Sequence, residues 1–121
     1  MIKTANQSGK LAEEIAANYL AKQGMTILDK NFRCRFGEID IIGLDTQYLV
    51  FIEVRYRKNE KHMDVLETID KHKCRKLIIT SEYYLNKHRK YQSLVCRYDV
   101  VGITGDINAP VIEWIKNAFQ A

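Results

Sequence analysis

Apolar residues near the start of the chain recur with the spacing of one helix face. The recurring positions are Leu11, Ala12, Ile15, Ala16, Tyr19 and Leu20, and charged residues interrupt them. A period of about 3.6 residues predicts an amphipathic helix with one side packed on a core. Ser8 is a candidate N-cap and Gly24 a candidate stop signal, so we expect the helix to begin near the first and end at the second.

In the middle of the chain the period changes to that of β-strands. Residues 38–42 and 48–55 are runs of β-branched and aromatic residues, and turn-forming residues occupy positions 43–47 between them. This pattern predicts two antiparallel strands joined as a hairpin. A short strand-like stretch at 25–28 and a basic segment at 30–36 precede the hairpin.

The second half of the chain predicts a loop, a long helix and two strands. Residues 56–65 are polar and basic, which is typical of a loop. The helix is expected over 65–85, and its predicted inward positions are Leu66, Ile69, Cys74, Leu77, Ile78, Tyr84 and Leu85. Strands are expected at 94–103 and 112–115. We therefore predict one α/β domain over residues 1–121, in which a central mixed sheet is flanked by the two helices.

Composition and charge narrow the class of protein. The chain has 121 residues, of which 46% are hydrophobic and 28% charged, and this suits one compact domain with a core. One Pro and six Gly exclude a collagen-like or largely disordered chain. The net charge of +4 suits a polyanionic partner without requiring one.

Cysteine usage and hydropathy indicate the cellular compartment in which the protein is expected. The three cysteines are Cys34, Cys74 and Cys96, an odd number at wide spacing that predicts no disulfide framework and favours a reducing cytoplasm. The histidines His62, His72 and His88 have no partner pair with Cys74 at ligand spacing, so no zinc site is predicted. No secretory leader and no run of about 18 apolar residues is present, so we expect no membrane partner.

Two carboxylates in the predicted hairpin suggest metal chemistry. Folding the hairpin about its midpoint, residues 46–47, places Asp40 opposite Glu53 with their Cβ atoms about 5 Å apart. Like charges in apolar strands need a compensating cation, either Arg55 or a bound metal. Mg²⁺ takes one or two carboxylates and keeps waters and phosphate oxygens in its octahedron, which suits phosphodiester cleavage. The simpler alternative is an exposed ion pair of these acids with Arg55 on a solvated sheet face.

Basic residues concentrate in the middle third of the chain. They are Arg33, Arg35, Arg55, Arg57, Lys58, Lys61, Lys71, Lys73, Arg75 and Lys76, and the aromatic residues Phe32, Phe36 and Tyr56 are interleaved with them. Cations contact phosphates and aromatic rings stack on bases, so this pattern predicts nucleic-acid binding. The predicted contacts are Arg33, Arg35, Arg57, Lys58 and Lys73. A solvated helix face is the alternative explanation of the run at 71–76.

The order of these residues resembles the PD-(D/E)XK nuclease superfamily, in which an acid is followed by a second acid, a spacer and usually a lysine. More closely, the chain resembles the YraN family of endonuclease-like proteins, which is related to archaeal Holliday junction resolvases. The similarity covers nearly the whole chain, and its most specific blocks are 37–42 and 51–57. It implies a restriction-endonuclease-like fold and Mg²⁺- or Mn²⁺-dependent endonuclease activity on DNA, with branched or structured DNA as the substrate. Resolvase relatives act as dimers, so a homodimer stays open.

The resemblance also implies roles for particular residues. Asp40 and Glu53 become metal ligands, and Glu13 becomes the helix-borne acid that completes the site. Arg55 occupies the position of the catalytic lysine, where a guanidinium with a pKa above about 12 binds phosphate but does not shuttle protons. Glu38 is expected beside the metal ligands or near the phosphate.

Two other functions remain open at this point. The first is a nucleic-acid-binding module with the same fold and without turnover, which metal titration of wild type and Asp40→Asn would distinguish from the enzyme. The second is a protein-interaction domain that uses the hairpin edge as a docking strand. An absence of salt-sensitive nucleic-acid binding would favour the second.

Overall fold

The computed structural model describes residues 3–58 and 64–121. Within them, five strands form one sheet and two α-helices lie against it. The elements in chain order are α1 (Lys3–Lys22), β1 (Thr26–Cys34), β2 (Gly37–Asp45), β3 (Tyr48–Arg57), a 3₁₀ turn (Val65–Thr68), α2 (Lys71–Lys87), a second 3₁₀ turn (Arg89–Tyr91), β4 (Val95–Thr104) and β5 (Val111–Phe119).

The sheet is mixed and its strands are in chain order. β1, β2 and β3 form an antiparallel meander, β3 and β4 pair in parallel, and β5 returns antiparallel to β4. A parallel pair requires a crossover connection, and α2 lies within that connection. The predicted mixed sheet flanked by helices is therefore confirmed.

Each helix covers one face of the sheet with apolar side chains. The α1 face is a buried cluster of Ala12, Ala16, Ala17, Leu20, Met25, Ile41, Val50, Ile52, Val101 and Ile103. The α2 face is a second cluster of Ile39, Ile42, Leu49, Phe51, Leu77, Tyr84 and Tyr98. Because both faces are covered, the central strands are apolar on both sides, as the hydrophobic runs in the sequence indicate. No helix within the described ranges is long and apolar enough to cross a membrane.

Three predicted boundaries differ from the structure. The first helix begins at Lys3 rather than near Ser8. The stretch at 25–28 and the basic segment after it form one strand, β1, because an edge strand can carry charged side chains into solvent. The last strand extends to Phe119 as β5.

The predicted long helix over 65–85 is wrong at its start. Ile69 has extended backbone, with φ −122° and ψ 111°, and α2 begins only after Asp70, whose carboxylate accepts a hydrogen bond from the Lys73 N–H at 2.8 Å. Asp at this position favours an N-cap over helix continuation. As a result Leu66 is 46% exposed and its predicted inward position is wrong, whereas Val65 is buried.

The predicted loop at 56–65 is only partly described. β3 continues to Arg57, so the first two residues of the predicted loop belong to a strand. Residues 59–63, including Lys61 and His62, lie outside the described residues.

A buried acid links the last two strands of the sheet. Asp99 is 0% exposed and accepts hydrogen bonds from Arg97, from the Trp114 Nε1–H and from the Asn117 backbone N–H, each at 2.9 Å. Arg97 also binds Asp45 at 2.8 Å. Every carboxylate oxygen of Asp99 thus has partners, and this network holds β4 and β5 together.

Candidate metal site and flanking clefts

The two strands of the hairpin separate at Asp40. Their register runs from Asp45–Tyr48 to Ile41–Ile52, which is the predicted register, and no further backbone pair follows. Beyond that point the Asp40 Oδ2 accepts a hydrogen bond from the Val54 N–H at 2.8 Å. The carboxylate therefore takes the place of a strand carbonyl, and it is fixed between β2 and β3.

The alternation of β2 breaks at the same residue. Ile39 and Ile41 would share a face in a regular strand, yet the first packs in the α2-face cluster and the second in the α1-face cluster. On β1, Asn31 lies opposite this point with a left-handed φ of 56°. Regular alternation of side chains therefore fails in β2 around Asp40.

Three acids from α1, β2 and β3 meet at this end of the sheet, and we call them the acid cluster: Glu13, Asp40 and Glu53. Asp40 is in the middle, because it acts on the pKa of each of the other two carboxyl groups. Burial raises the pKa of Glu53 to about 7, and the charge of Asp40 adds to the shift. The pKa of Glu13 also rises to about 7, through burial and then the charge of Asp40. Burial likewise raises the pKa of Asp40.

Two cations face the buried acid of the cluster. The Glu53 Oε2 lies 3.2 Å from Arg55 Nη2 and 3.8 Å from Lys73 Nζ. The ion pair of Glu53 with Arg55 in the simpler alternative is present, but Glu53 is only 7% exposed, so the pair does not lie on a solvated sheet face. The Arg55 Nε is buried and has no hydrogen-bond partner within the described part of the chain. An N–H group in that condition is costly unless something else accepts its hydrogen bond.

Glu38 lies beside the cluster but outside it. Its Oε2 is 3.3 Å from Arg33 Nε across β1 and β2, and both side chains are largely exposed. Glu38 does not pair with Arg55 across the hairpin, since the β2–β3 pairing has already ended at Ile41. The charge of Glu38 still reaches the cluster, because it raises the pKa of Asp40.

Two clefts flank the acid cluster. The first, which we call the α2 groove, has a volume of about 430 Å³ and is lined by Arg33, Cys34, Gly37, Glu38, Lys73, Lys76 and Leu77. The second, the α1 cleft, has about 240 Å³ and is lined by Gly9, Ala12, Glu13, Val54, Arg55, Tyr56 and Arg57. Arg55 of the α1 cleft and Lys73 of the α2 groove therefore both lie beside the acid cluster.

The other predicted nucleic-acid contacts lie farther out. Arg35 is exposed at the β1–β2 turn, where its guanidinium carbon lies 5.0 Å from the centre of the Phe36 ring. Lys58 is exposed at the end of β3 and lines neither cleft. The structure therefore brings Arg33, Arg57 and Lys73 to the clefts and leaves the other two outside them.

Asn31 and the Val54 N–H are contributors that sequence reasoning missed, and Lys76 of the basic run also lines the α2 groove. The Asn31 side chain hydrogen-bonds Glu13, and this bond lowers the pKa of that acid. The only signal for Asn31 was its tolerance of left-handed backbone. The Val54 N–H is a backbone group, so the residue type at position 54 does not predict its contact with Asp40.

The donor chemistry of the cluster fits a magnesium-like ion. Across residues 3–58 and 64–121, no three or more His, Cys, Asp or Glu side chains form a group that could hold a metal on their own. The links run from Glu13 to Asp40 and from Asp40 to Glu53, so the protein offers a pair of carboxylates with a third nearby. Mg²⁺ uses such a pair and completes its shell with water and phosphate, whereas zinc sites use three or four protein ligands, mostly Cys and His.

The fold and site define a mixed α/β protein with an acid cluster at the end of its central sheet. The model of the uncharacterised protein family UPF0102 matches residues 12–103. A UPF0102 protein of Coxiella burnetii is 45% identical over 120 residues, which are 99% of this chain and 98% of the relative. A UPF0102 protein of Alcanivorax borkumensis is 41% identical over 122 residues, 100% of this chain and 98% of the relative. The chain belongs to the UPF0102 family, which is the YraN group, so the family resemblance is confirmed.

Proposed function

We propose that this protein is a divalent-metal-dependent endonuclease that hydrolyses phosphodiester bonds in DNA. The observation that carries the proposal is the acid cluster at the point where β2 and β3 separate, with Arg55 and Lys73 beside it. A restriction-endonuclease-like fold of the PD-(D/E)XK superfamily belongs to the same proposal. The mixed sheet with a helix on each face is consistent with it.

Asp40 and Glu53 would hold Mg²⁺ or Mn²⁺, and Glu13 would stand next to the ion. When bound, the ion supplies a Lewis acid that activates water and neutralises charge on the scissile phosphate. The protein contributes a fixed position for Asp40, because the Val54 N–H donates a hydrogen bond to its Oδ2. Glu53 is held by Arg55 and Lys73 in the orientation that faces Asp40.

Arg55 would bind the phosphate of the substrate. Its Nη2 already contacts Glu53, and its buried Nε has no partner in the described structure. Because Arg55 lines the α1 cleft, a phosphate bound in that cleft would contact the accessible part of its guanidinium group. Arg55 keeps its proton, so its contribution is electrostatic stabilisation of the transition state and not proton transfer.

A nuclease panel tests the proposal. Purified protein is incubated with linear duplex, single-stranded, flap and four-way-junction DNA in Mg²⁺ and in Mn²⁺. We expect metal-dependent cleavage of at least one substrate. Loss of an outer-sphere residue costs metal sites about 10- to 100-fold, so we expect Asp40→Asn and Glu53→Gln to lose more than about 100-fold in rate.

Glu14→Gln is the matched control, because Glu14 neighbours Glu13 on the same helix and is exposed. It should cleave like the wild type. Cleavage that survives in both Asp40→Asn and Glu53→Gln would point to a contaminating nuclease and would contradict the proposal.

A binding module without turnover is the second candidate, and one observation favours it: arginine replaces the lysine usual in this position. In that case no DNA is cleaved, whereas binding remains and weakens with salt. Isothermal titration of Mn²⁺ separates the candidates further, since the endonuclease must lose its ion-binding site in Asp40→Asn.

A further inference from the structure

One stripe of α2 carries residues that suit a polyanionic strand. Lys73, Lys76, Thr80, Tyr83 and Lys87 follow one another at alternating steps of three and four residues, so they lie on one side of the helix. The stripe begins beside Glu53 and runs for about 20 Å along the helix, at 1.5 Å per residue. Cations at both ends of the stripe enclose Tyr83, whereas Thr80 is fully buried and is not available to a ligand.

The β1–β2 turn adds an exposed aromatic ring to this stripe. Phe36 is 38% exposed, and its ring lies 5.9 Å from that of Tyr83 in an edge-on arrangement. We call these two rings the aromatic platform. Phe32 supports it from below at 6.4 Å from Tyr83 and packs against the core at 5.0 Å from Tyr84.

One cation lies over each ring of the platform. The Arg35 guanidinium carbon lies 5.0 Å from the Phe36 ring centre, and the Lys87 Nζ lies 5.2 Å from the Tyr83 ring centre. The α2 groove is lined by Gly37, which follows Phe36 in the chain, and by Lys73, which contacts Glu53. An exposed aromatic surface bordered by cations favours a ligand that has both flat rings and negative charge.

We propose that the aromatic platform binds unpaired bases of a single-stranded DNA segment that leads into the active site. The backbone of that segment would follow the α2 stripe, and its phosphates would contact Lys76 and Lys87. Paired bases are stacked inside a duplex and cannot present a face to Phe36, so the platform selects single strand over duplex. This inference rests on the proposed function and specifies its substrate as DNA with an unpaired segment next to the cleaved bond.

Binding measured without metal tests the inference. Fluorescence anisotropy with labelled oligothymidylate, in the presence of a chelator, reports affinity while no cleavage can occur. Stacking on one aromatic side chain contributes enough that Phe36→Ala should weaken this binding by about 5- to 150-fold. Phe36→Tyr keeps a ring and should bind like the wild type, which excludes a folding defect at this position.

Two further variants separate stacking from charge. Arg35→Gln should reduce the slope of log affinity against log salt by about 0.7, whereas Phe36→Ala should leave that slope unchanged. Val111→Ala removes an exposed apolar side chain from the far edge strand and should leave the affinity unchanged.

An unchanged oligothymidylate affinity in Phe36→Ala, or an equal loss for a blunt duplex, would overturn the inference. Its failure is distinguishable from failure of the proposed function, because metal-free binding does not depend on turnover. A protein that stacks oligothymidylate on Phe36 but never cleaves contradicts only the nuclease proposal. A nuclease that retains full single-strand binding in Phe36→Ala contradicts only the platform.

Discussion

The geometry of the candidate site depends on how two backbones turn at one pair of residues. Asn31 adopts left-handed φ on β1, and Asp40 lies opposite it where β2 changes face. The Asn31 side chain also reaches Glu13 on α1. One residue therefore shapes the edge of the sheet and holds the third acid near the other two.

Replacing Asn31 by Gly and by Ala separates these two contributions. Gly accepts left-handed backbone and loses only the hydrogen bond to Glu13, so stability should be retained while the pKa of Glu13 rises above about 7. Ala adds the backbone strain, which costs about 1–2 kcal/mol. Urea denaturation measures the stability, and NMR titration of the Glu13 carboxyl measures the pKa. A lower pKa in Asn31→Gly would contradict the assigned hydrogen bond.

Residue type and spacing predicted part of this site and not the rest. Asp40 and Glu53 were predictable because two acids in apolar strands stand out, and the hairpin register follows from the turn. Glu13 was implied only by the family resemblance, because its approach to Asp40 depends on how α1 packs on the sheet. The contribution of the Val54 N–H could not be predicted, because residue types do not show where the backbone pairing of two strands ends.

The start of α2 is the element that brings a cation to the acid cluster. Asp70 caps the helix through the Lys73 N–H, and the side chain of the same lysine points to Glu53. The 3₁₀ turn before α2 has an Asp in the corresponding place, Asp64, but this side chain makes no capping hydrogen bond. The two acids thus form a natural pair for comparison.

Asp70→Ala should destabilise the protein by about 1 kcal/mol, the usual cost of losing an N-cap. It should also weaken nucleic-acid binding at the α2 groove, because Lys73 loses the fixed first turn that positions it. Urea denaturation and anisotropy measure the two effects. Asp64→Ala should change neither quantity, and an equal loss of stability in both variants would argue against the capping role.

The elements differ in how well the sequence predicted them. The hairpin was predicted closely, since alternating residues on both sides of a turn leave few alternatives. The long helix was predicted too long, because Val65, Leu66 and Ile69 continue a helical period across the break. Only the capping tendency of Asp70 opposes that period, and such a local signal is weaker than an apolar pattern.

On the scale of the whole molecule, folding without a metal ion confines three acids in one place. Burial and mutual repulsion raise the pKa of both Glu13 and Glu53 from 4.5 to about 7. At pH values between 4.5 and about 7, the folded chain therefore binds more protons than the unfolded chain. The free energy of unfolding must therefore fall as pH rises through this window.

Thermal denaturation in a chelator should accordingly give a melting temperature that falls between about pH 4.5 and 7. Asp40→Asn should reduce the fall, because the charge of Asp40 contributes to both shifts. Added Mg²⁺ should stabilise the protein more above pH 7 than at pH 5, since it competes with protons for the same oxygens. A melting temperature that rises through the window would contradict this charge arrangement.

The parallel pairing of β3 with β4 has a consequence for the order of folding. Tyr48 pairs with Val95, so this contact must wait for a long segment of chain to close, whereas the meander of β1, β2 and β3 needs only short turns. Asp40 and Glu53 both lie in the meander, and Lys73 lies in the segment that closes later. During synthesis the acids therefore emerge first together with Arg55, and the second cation, Lys73, reaches Glu53 only when the crossover docks.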